Sequence, residues 1–358
     1  MFFICSKKYT PTLSSTMSSR ATITPKKILI VKKRAIGDSI MGIGTVSYVR
    51  SIYPDARITY AIPLWISRLF ENISTDADEI LGFDLKSIGD WINLWKVLNK
   101  LKTDIVFEMH QSGRTRKFFT LYSLLTGTKY FFHNHHIKRT TNIHEQGVTK
   151  ALIQRDLDGA WSCLSAKDHS IPCYLDFVPE MRPVNAVSKK RVFVFGVSAS
   201  RETKMWPLGS YVGLSKKLLE QYPDYEIIVP LATTPSDLAI ESELKKLALP
   251  NEVKIIKVSL AELPEHVGQG NLYVGNDTGL KHLSIALGLR SITIFGPEPP
   301  TEWHPYDCKH HPFLYKEALA CRTKKLHYCG LSTCESMQCV KCFSVDDVFS
   351  KINGLIAD

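Results

Sequence analysis

No apolar run in the sequence reaches the roughly 18 residues that a membrane-spanning helix needs. The chain also lacks a convincing signal peptide, because the hydrophobic stretch at its start, MFFIC, is short and is followed directly by SKKYT. These two absences argue against a helical membrane protein and against a secreted one. We therefore expect a cytoplasmic protein.

Acidic residues are absent from the first 37 positions, where eight lysines and arginines occur. This end of the chain supplies a charge of +8, against a formal net charge of +10 for the whole chain. Because anionic lipid headgroups attract such a segment, we predict peripheral contact with an anionic membrane surface and no nucleic-acid partner. The alternative is a solvated extension: residues 1–25 are rich in Ser and Thr and are expected to be disordered.

Two paired C-x-x-C clamps, as in a standard zinc finger, are also missing. Five of the nine cysteines nevertheless fall near the end of the chain, at Cys321, Cys329, Cys334, Cys339 and Cys342. In a cytoplasmic protein we expect a structural clamp or reduced thiols there, and no catalytic thiol. Whether these cysteines hold a metal is open from the sequence.

Length and pattern predict two α/β domains. A chain of 358 residues with 44% hydrophobic residues can bury two cores of ordinary size. Strands predicted at 27–32, 57–61 and 104–109 alternate with helices, one of them predicted at about 40–52. After a polar stretch the pattern resumes with a strand at 191–197, a helix at 208–221 and a strand at 225–230. Such alternation is typical of parallel sheets covered on both faces. We expect one doubly wound domain at 26–180, a linker at 181–190 and a second domain at 191–358.

Residues 274–305 have the build of a phosphate site. A strand end at 272–274 leads into a polar turn and then into an apolar helical face, with Asp277 or Thr278 as the predicted helix N-cap. The turn directs Thr278, Gly279 and the free N–H groups of the first helical turn at an anion, and the helix dipole adds about half a positive charge. A further strand at 290–295 ends at Gly296-Pro297.

This segment resembles the signature of glycosyltransferase family 9, the bacterial ADP-heptose:lipopolysaccharide heptosyltransferases. Members carry a D-[ST]-G-x-x-H turn and helix followed by an F-G-P strand end, here Asp277, Thr278, Gly279 and His282, then 295–297. The ordered set is far more specific than D-T-G alone. The resemblance covers about residues 26–350 and implies the GT-B fold, an α/β architecture in which two Rossmann-like doubly wound domains face a central cleft.

RAIGDS, residues 34–39, is similar to an A-x-G-D segment of the family. Gly37 allows a tight turn at the end of the first strand, and Asp38 projects a carboxylate where open α/β sheets bind ligands. The resemblance implies that Asp38 is the catalytic base. A plain N-cap aspartate is the alternative, and the two roles are compatible.

FEMHQSGRTRKF, residues 107–118, resembles the family's D-L-H-G-x-x-R-S stretch. His110 and Arg114 keep their places, while Glu108 and Gln111 replace the usual Asp and Gly. Positive charge at this strand end suits a phosphorylated or carboxylated acceptor sugar. We expect His110, Arg114 and Arg116 to bind the acceptor; a solvated helix start is the alternative.

GVSASRETKMWPLGSYVGL, residues 196–214, is similar to the family's G-x-S-x-x-x-K-x-W-P. It implies that Ser198 and Ser200 donate hydrogen bonds to phosphate oxygens and that Lys204 reaches the diphosphate. Family members also tend to carry a Glu after the next strand that binds the donor nucleoside. This chain lacks it, and Asp237, one methylene shorter, lies nearest that place.

The resemblance implies inverting transfer of a heptose from ADP-heptose to the lipopolysaccharide inner core, at the cytoplasmic face of the inner membrane and without a cofactor or metal. Asp38 would act as the base, while Lys204, Ser198 and the Thr278-Gly279 helix N-terminus would stabilise the diphosphate, with Asp277 and His282 in the same donor site. Two alternatives stay open: a family 9 enzyme that uses another nucleotide sugar, and a non-catalytic nucleotide-binding or carbohydrate-binding relative.

Overall fold

The structure, a computed structural model, describes residues 25–133, 136–139, 142–145, 150–164, 170–185, 190–322, 329, 331 and 333–357, without the side chains of 136–139 and 142–145. Most of the N-terminal extension expected to be disordered, residues 1–24, lies outside the described residues. Within the described part of the chain, no helix is both long enough and apolar enough to cross a membrane.

The first half of the chain alternates strands and helices. Its elements are β1 (Lys27–Val31), α1 (Ile36–Met41), α2 (Ile43–Ile52), β2 (Arg57–Pro63), α3 (Leu64–Ser67), a 3₁₀ turn (Arg68–Phe70), β3 (Ile73–Ser74), β4 (Glu79–Phe83), α4 (Ile88–Leu101), β5 (Ile105–Glu108), α5 (Gly113–Thr126), β6 (Lys129–Phe132), β7 (His136–Arg139), β8 (Asn142–Glu145), α6 (Leu152–Leu164) and a 3₁₀ turn (Tyr174–Phe177).

The second half repeats this pattern. Its elements are β9 (Arg182–Pro183), β10 (Val192–Gly196), a 3₁₀ turn (Glu202–Lys204), α7 (Leu208–Gln221), β11 (Glu226–Leu231), α8 (Pro235–Lys246), β12 (Val253–Lys257), α9 (Leu263–Gly268), β13 (Leu272–Asn276), α10 (Gly279–Ala286), β14 (Arg290–Ile294), α11 (Pro300–Trp303), β15 (Phe313–Leu314), α12 (Gln338–Lys341) and α13 (Val345–Ala357).

Each half is built on its own parallel sheet. The strand order is β4-β2-β1-β5-β6 in the first half and β12-β11-β10-β13-β14-β15 in the second. All neighbours within these two sheets pair in parallel. The structure confirms the predicted α/β fold of GT-B type, with two Rossmann-like domains. The carboxyl ends of the strands, where such sheets bind ligands, carry the loops discussed below.

The first sheet is covered on both faces, which explains its unbroken apolar strands. In β1, Ile28 and Ile30 join the core shared with α2 and α6. Leu29 and Val31 face the opposite way, into the core beneath α4 and α5. Successive strand side chains point to opposite faces, so a strand buried on both sides cannot alternate with polar residues.

The boundaries differ from the predictions in two informative places. The helix predicted from residue 40 is two helices, α1 and α2, meeting at Gly42, where any Cβ would collide with the Tyr60 hydroxyl. Within the predicted linker, Arg182–Pro183 pairs antiparallel with Ile73–Ser74, while residues 186–189 lie outside the described ranges.

The two halves meet through closely packed helix starts. A Cβ on Gly37 of α1 would lie 2.9 Å from the His282 ring, and one on Gly279 of α10 would lie 2.9 Å from Ile36. Glycine at both positions therefore lets the backbones of α1 and α10 approach each other.

A buried ion pair also joins the halves. Arg155 of α6 donates a hydrogen bond to Glu302 of α11 at 2.6 Å, and both side chains are almost fully buried. A charge removed from water is tolerated where it is paired, so each partner here depends on the other.

We predict that Arg155→Met and Glu302→Gln each lower the free energy of unfolding by about 3 to 5 kcal/mol, because either change breaks a buried ion pair by removing one of its members. The double variant should lose much less than the sum of the two. Urea denaturation of the four proteins would measure this coupling.

Arg182→Met is the matched control, since Arg182 pairs with Glu180 at 2.6 Å on the surface, with both side chains at least half exposed. Its expected cost is below about 1 kcal/mol. An Arg155→Met protein no less stable than this control would contradict the assignment.

Candidate functional site

A cavity of about 750 Å³ opens between the two halves. Its wall includes all nine residues predicted as base or donor site, namely Asp38, Ser198, Ser200, Lys204, Asp237, Asp277, Thr278, Gly279 and His282. The three residues predicted to bind the acceptor, His110, Arg114 and Arg116, do not line it. The strand ends and helix starts of the two sheets thus contribute side chains to one site.

Asp38 enters the cavity from the first turn of α1. The N-cap of this helix is Ala35, so Asp38 is not the plain N-cap residue that was the alternative. Burial raises the pKa of the Asp38 carboxyl; Lys32 and Arg34 act against this rise, and Asp156 adds to it. Arg34 Nε lies 3.8 Å from the carboxylate. The result is a more basic carboxylate than an exposed aspartate.

A second ion pair, which was not predicted from the sequence, lies behind Asp38. Lys32 follows β1, and its ammonium donates to Asp156 of α6 at 2.5 Å, with both side chains 1% exposed. Asp156 therefore neutralises Lys32, which would otherwise depress the pKa of Asp38 further. The only available signal was a lysine ending an apolar strand.

Asp277 organises the part of the cavity wall that the second half contributes. Thr278 is the N-cap of α10, as one of the two predictions had it. Asp277, just before it, accepts from Lys281 at 2.5 Å and lies 3.3 Å from Lys204 Nζ. Burial alone would raise the pKa of Asp277, but the ammonium groups of Lys281 and Lys204 hold it well below its usual range. Its carboxylate thus faces lysines, and it positions Lys204 at the cavity wall.

Lys281 is enclosed by the same cluster. Its ammonium also donates to the carbonyl of Trp303 at 2.8 Å. Burial lowers the pKa of Lys281 to about 8, although Asp277 acts in the opposite direction. Since its side chain is fully buried, Lys281 supports Asp277 from within the protein.

His282 is a neutral imidazole in this setting. Burial, followed by the charge of Lys281, lowers its pKa well below the usual value. One ring nitrogen, Nδ1, lies 2.6 Å from the Tyr306 hydroxyl, and Nε2 is 4.0 Å from Asp277. The ring packs against Gly37 across the boundary between the halves.

Ser198 and Asp237 lie together but already satisfy each other. Ser198 donates to one oxygen of Asp237 at 2.9 Å, and Thr234 donates to the other at 2.8 Å. Thr234 is the N-cap of α8, and its hydroxyl accepts from the backbone N–H of Asp237. Asp237 therefore joins the loop after β10 to the start of α8, and a ligand hydroxyl would have to share its oxygens.

The far end of the cavity was not predicted. It is lined by the ends of β11 and β12 and the residues that follow them, 230–233 and 257–260; Trp65 and Trp303 also line the cavity. The carboxyl ends of neighbouring parallel strands meet at one edge of a sheet, so the predicted strand order was the feature from which this part of the cavity could have been inferred.

The segment predicted to bind the acceptor contains an unusual acid. Glu108, at the end of β5, accepts from the Tyr130 hydroxyl at 2.5 Å. Burial raises the pKa of Glu108 to about 7, although hydrogen bonds from Thr115, Tyr130 and Ser112 favour its charged form. Arg114 and Arg116 are exposed on the first turns of α5.

The Cys-rich end of the chain contacts the loop before α7 that contains Thr203 and Lys204. Cys339 donates weakly to the carbonyl of Thr203, whose own hydroxyl donates to Leu331 at 2.7 Å. All eight described cysteines are free thiols. Within the described part of the chain, no group of three or more His, Cys, Asp or Glu is placed to hold a metal ion.

Comparisons with known proteins point to one family. The model of glycosyltransferase family 9 (heptosyltransferase) matches residues 98–328. Lipopolysaccharide heptosyltransferase 1 of Campylobacter coli is 24% identical over 294 residues, covering 76% of this chain and 84% of that protein. Lipooligosaccharide heptosyltransferase 2 of Campylobacter jejuni is 21% identical over 336 residues, covering 92% and 98%.

A solved structure is similar over nearly its whole length. The structure of ADP-heptose lps heptosyltransferase II of E. coli aligns with a TM-score of 0.66 at 18% identity, covering 92% of this chain and 98% of that one. At this identity the likeness establishes the shared fold.

Glu108→Gln tests the environment of the buried acid. Because folding raises the pKa of Glu108 from 4.5 to about 7, its contribution favours the folded state below its unfolded pKa and is lost as the pH rises through about 7. The shift corresponds to about 3 kcal/mol. Relative to Glu108→Gln, the wild type should lose up to that much unfolding free energy between about pH 4 and about pH 8.

Urea titrations across this range would measure the difference. Tyr130→Phe removes a hydrogen bond that favours the charged carboxylate, so it should steepen the dependence. Parallel stability curves for the wild type and Glu108→Gln would show that the acid is not perturbed.

Proposed function

The chain belongs to glycosyltransferase family 9, and on this basis we propose that it transfers a heptose from ADP-heptose to the inner core of lipopolysaccharide with inversion. Membership makes the protein a glycosyltransferase. The observation that carries the finer proposal is the placement of Asp38, from the first half, in the same cavity as Lys204 and the Thr278-Gly279 helix start, from the second half.

Asp38 is the proposed general base. It would accept the proton of the acceptor hydroxyl as that oxygen bonds to the anomeric carbon of the donor sugar. A base works best when its pKa approaches the working pH, and burial moves the pKa of Asp38 in that direction. Lys32 and Asp156 then act as positioning residues, because the ion pair keeps the net charge behind the base near zero.

Lys204 and the N-terminus of α10 are proposed to bind the leaving group. As the bond to the sugar breaks, negative charge grows on the departing diphosphate, and an ammonium group and free helical N–H groups stabilise it. Ser200 is proposed to donate to its oxygens, and so is Ser198, whose hydroxyl would then have to turn away from Asp237. His282 lies nearby as a neutral group. No cofactor or metal is part of this proposal.

We assign the acceptor to residues 26–180, the donor to 191–358 and the connection to 181–190. His110, Arg114 and Arg116 remain the proposed acceptor contacts. The basic N-terminal extension is proposed to touch anionic lipid at the cytoplasmic face of the inner membrane.

A different nucleotide sugar is the second candidate. The observation that favours it is Asp237, whose two oxygens already accept from Ser198 and Thr234. A binding titration with a panel of nucleotide sugars would separate the two, and tighter binding of a donor other than ADP-heptose would overturn our choice.

Asp38→Asn should lower kcat by about 10² to 10⁴, the range typical of losing general-base assistance, while donor binding changes little. Transfer of ADP-heptose to a purified inner-core acceptor measures this. Asp55→Asn, at an exposed position, is the control and should match the wild type. Full activity of Asp38→Asn would remove this residue from the mechanism.

Lys204→Ala and Asp237→Ala should fail in different ways. Loss of the lysine should cost about 1.5 to 3 kcal/mol in donor binding and more in the transition state, so that both KM and kcat suffer. Asp237→Ala should act mainly through KM, because a nucleoside contact is the same before and during bond cleavage.

Steady-state kinetics on both variants decide these roles, with Lys216→Ala, at an exposed position, as the control. Unaltered kinetics for Lys204→Ala would refute a contact with the diphosphate. Unaltered kinetics for Asp237→Ala would leave the nucleoside without this carboxylate.

A further inference from the structure

The outer helices α4 and α5 are apolar on the side that faces solvent. On α4, Ile88 is 81% exposed and Ile92 51% exposed, although this helix buries only Leu94 and Leu98. On α5, Leu121, Leu124 and Leu125 are 46%, 77% and 67% exposed. Single exposed leucines are ordinary, but a group of this size on neighbouring helices marks an interaction site.

The two helices form one continuous surface. Trp91 and Trp95 of α4 pack edge-on against Phe118 of α5, with ring centroids 5.4 and 6.3 Å apart, and Trp95 also meets Tyr122 at 5.0 Å. Both tryptophans are half-buried. Indole rings that are partly apolar and partly wet are favoured at a boundary between water and lipid.

The charges of this surface are almost all of one sign. Asp90 is the one acid within 88–101 and 113–126, and its carboxylate accepts from the N–H groups of Lys86 and Ser87 at 2.7 and 2.8 Å. The exposed basic residues on the two helices are Lys96, Lys100, Arg114, Arg116 and Lys117. We define the α4–α5 face as the exposed apolar side chains Ile88, Ile92, Leu121, Leu124 and Leu125 together with these five basic residues.

We propose that the α4–α5 face docks on an anionic lipid bilayer. Its leucine and isoleucine side chains would enter the boundary between headgroups and acyl chains, while its lysines and arginines would contact lipid phosphates. The positive charge of the face favours an anionic bilayer over the two other possible occupants, a second copy of the chain and its own N-terminal extension. A second copy of the same face would bring five cations against five more, and the basic N-terminal extension would be repelled in the same way.

The orientation of the face suits this role. Both helices begin after the carboxyl ends of β4 and β5, the edge of the first sheet at which open α/β sheets bind ligands. Docking would thus place the proposed acceptor side of the molecule close to the bilayer. This last step rests on the proposed function, whereas the docking itself does not.

Two variants of the full-length chain test the proposal by co-sedimentation with phosphatidylcholine vesicles, with and without phosphatidylglycerol. Lys96→Gln with Lys117→Gln should weaken partitioning onto phosphatidylglycerol vesicles by about 25-fold, at roughly fivefold per charge removed. Ile92→Ser with Leu124→Ser should weaken it by about tenfold or more through lost apolar burial. Leu238→Ser with Lys216→Gln, exposed on the other half, is the matched control and should bind like the wild type.

Two results would overturn the proposal. One is equal vesicle binding by the wild type and both face variants. The other is a wild-type dimer that the Ile92→Ser, Leu124→Ser variant abolishes, which would make the face an interface between copies of the chain. Sugar transfer to a soluble acceptor is measured alongside and should not change in either variant. If neither the wild type nor any variant transferred the sugar, that result would count against the proposed function. The vesicle result would still test the docking proposal.

Discussion

The site depends above all on one buried carboxylate, that of Asp277. It lies at the junction of β13 and α10, where Lys281 pairs with it from inside the protein and Lys204 from the cavity wall. Lys281 in turn donates to the carbonyl of Trp303. One acidic group therefore fixes three separate segments, and without it two ammonium groups would face each other at low dielectric. The charge at this part of the cavity wall is set by the cluster as a whole.

The sequence predicted the framework well, for reasons that lie within each segment. The helix at 208–221 has the predicted limits, and the strands at 192–196 and 226–231 lie within a residue of prediction, because apolar periodicity and Pro207 are local signals. The close contact at Gly42 could not be predicted, since the Tyr60 hydroxyl that leaves no room for a Cβ there is brought into place by a separate strand. Tertiary contacts of this kind leave no mark in the neighbouring sequence.

For the candidate site too, the sequence predicted some residues and missed others. Motif spacing identified Asp38, Lys204 and the turn at 277–279, and all of them line one cavity. The partners that tune them were missed, because Asp156 lies 124 positions from Lys32 and Glu302 lies 147 from Arg155. The pairing of Asp237 with Ser198 was likewise invisible. A motif identifies the residues of a site, whereas their charge state depends on neighbours that only the fold brings together.

Arg155 and Asp156 are consecutive, yet they contact different halves of the molecule. Asp156 reaches Lys32 behind the base, and Arg155 reaches Glu302 on the far side of the cleft. Spreading the cleft wide enough to let a large product leave would therefore first pull two buried charges apart and expose them to water. Separating Arg155 from Glu302 would therefore add a free-energy cost to any opening of the cleft.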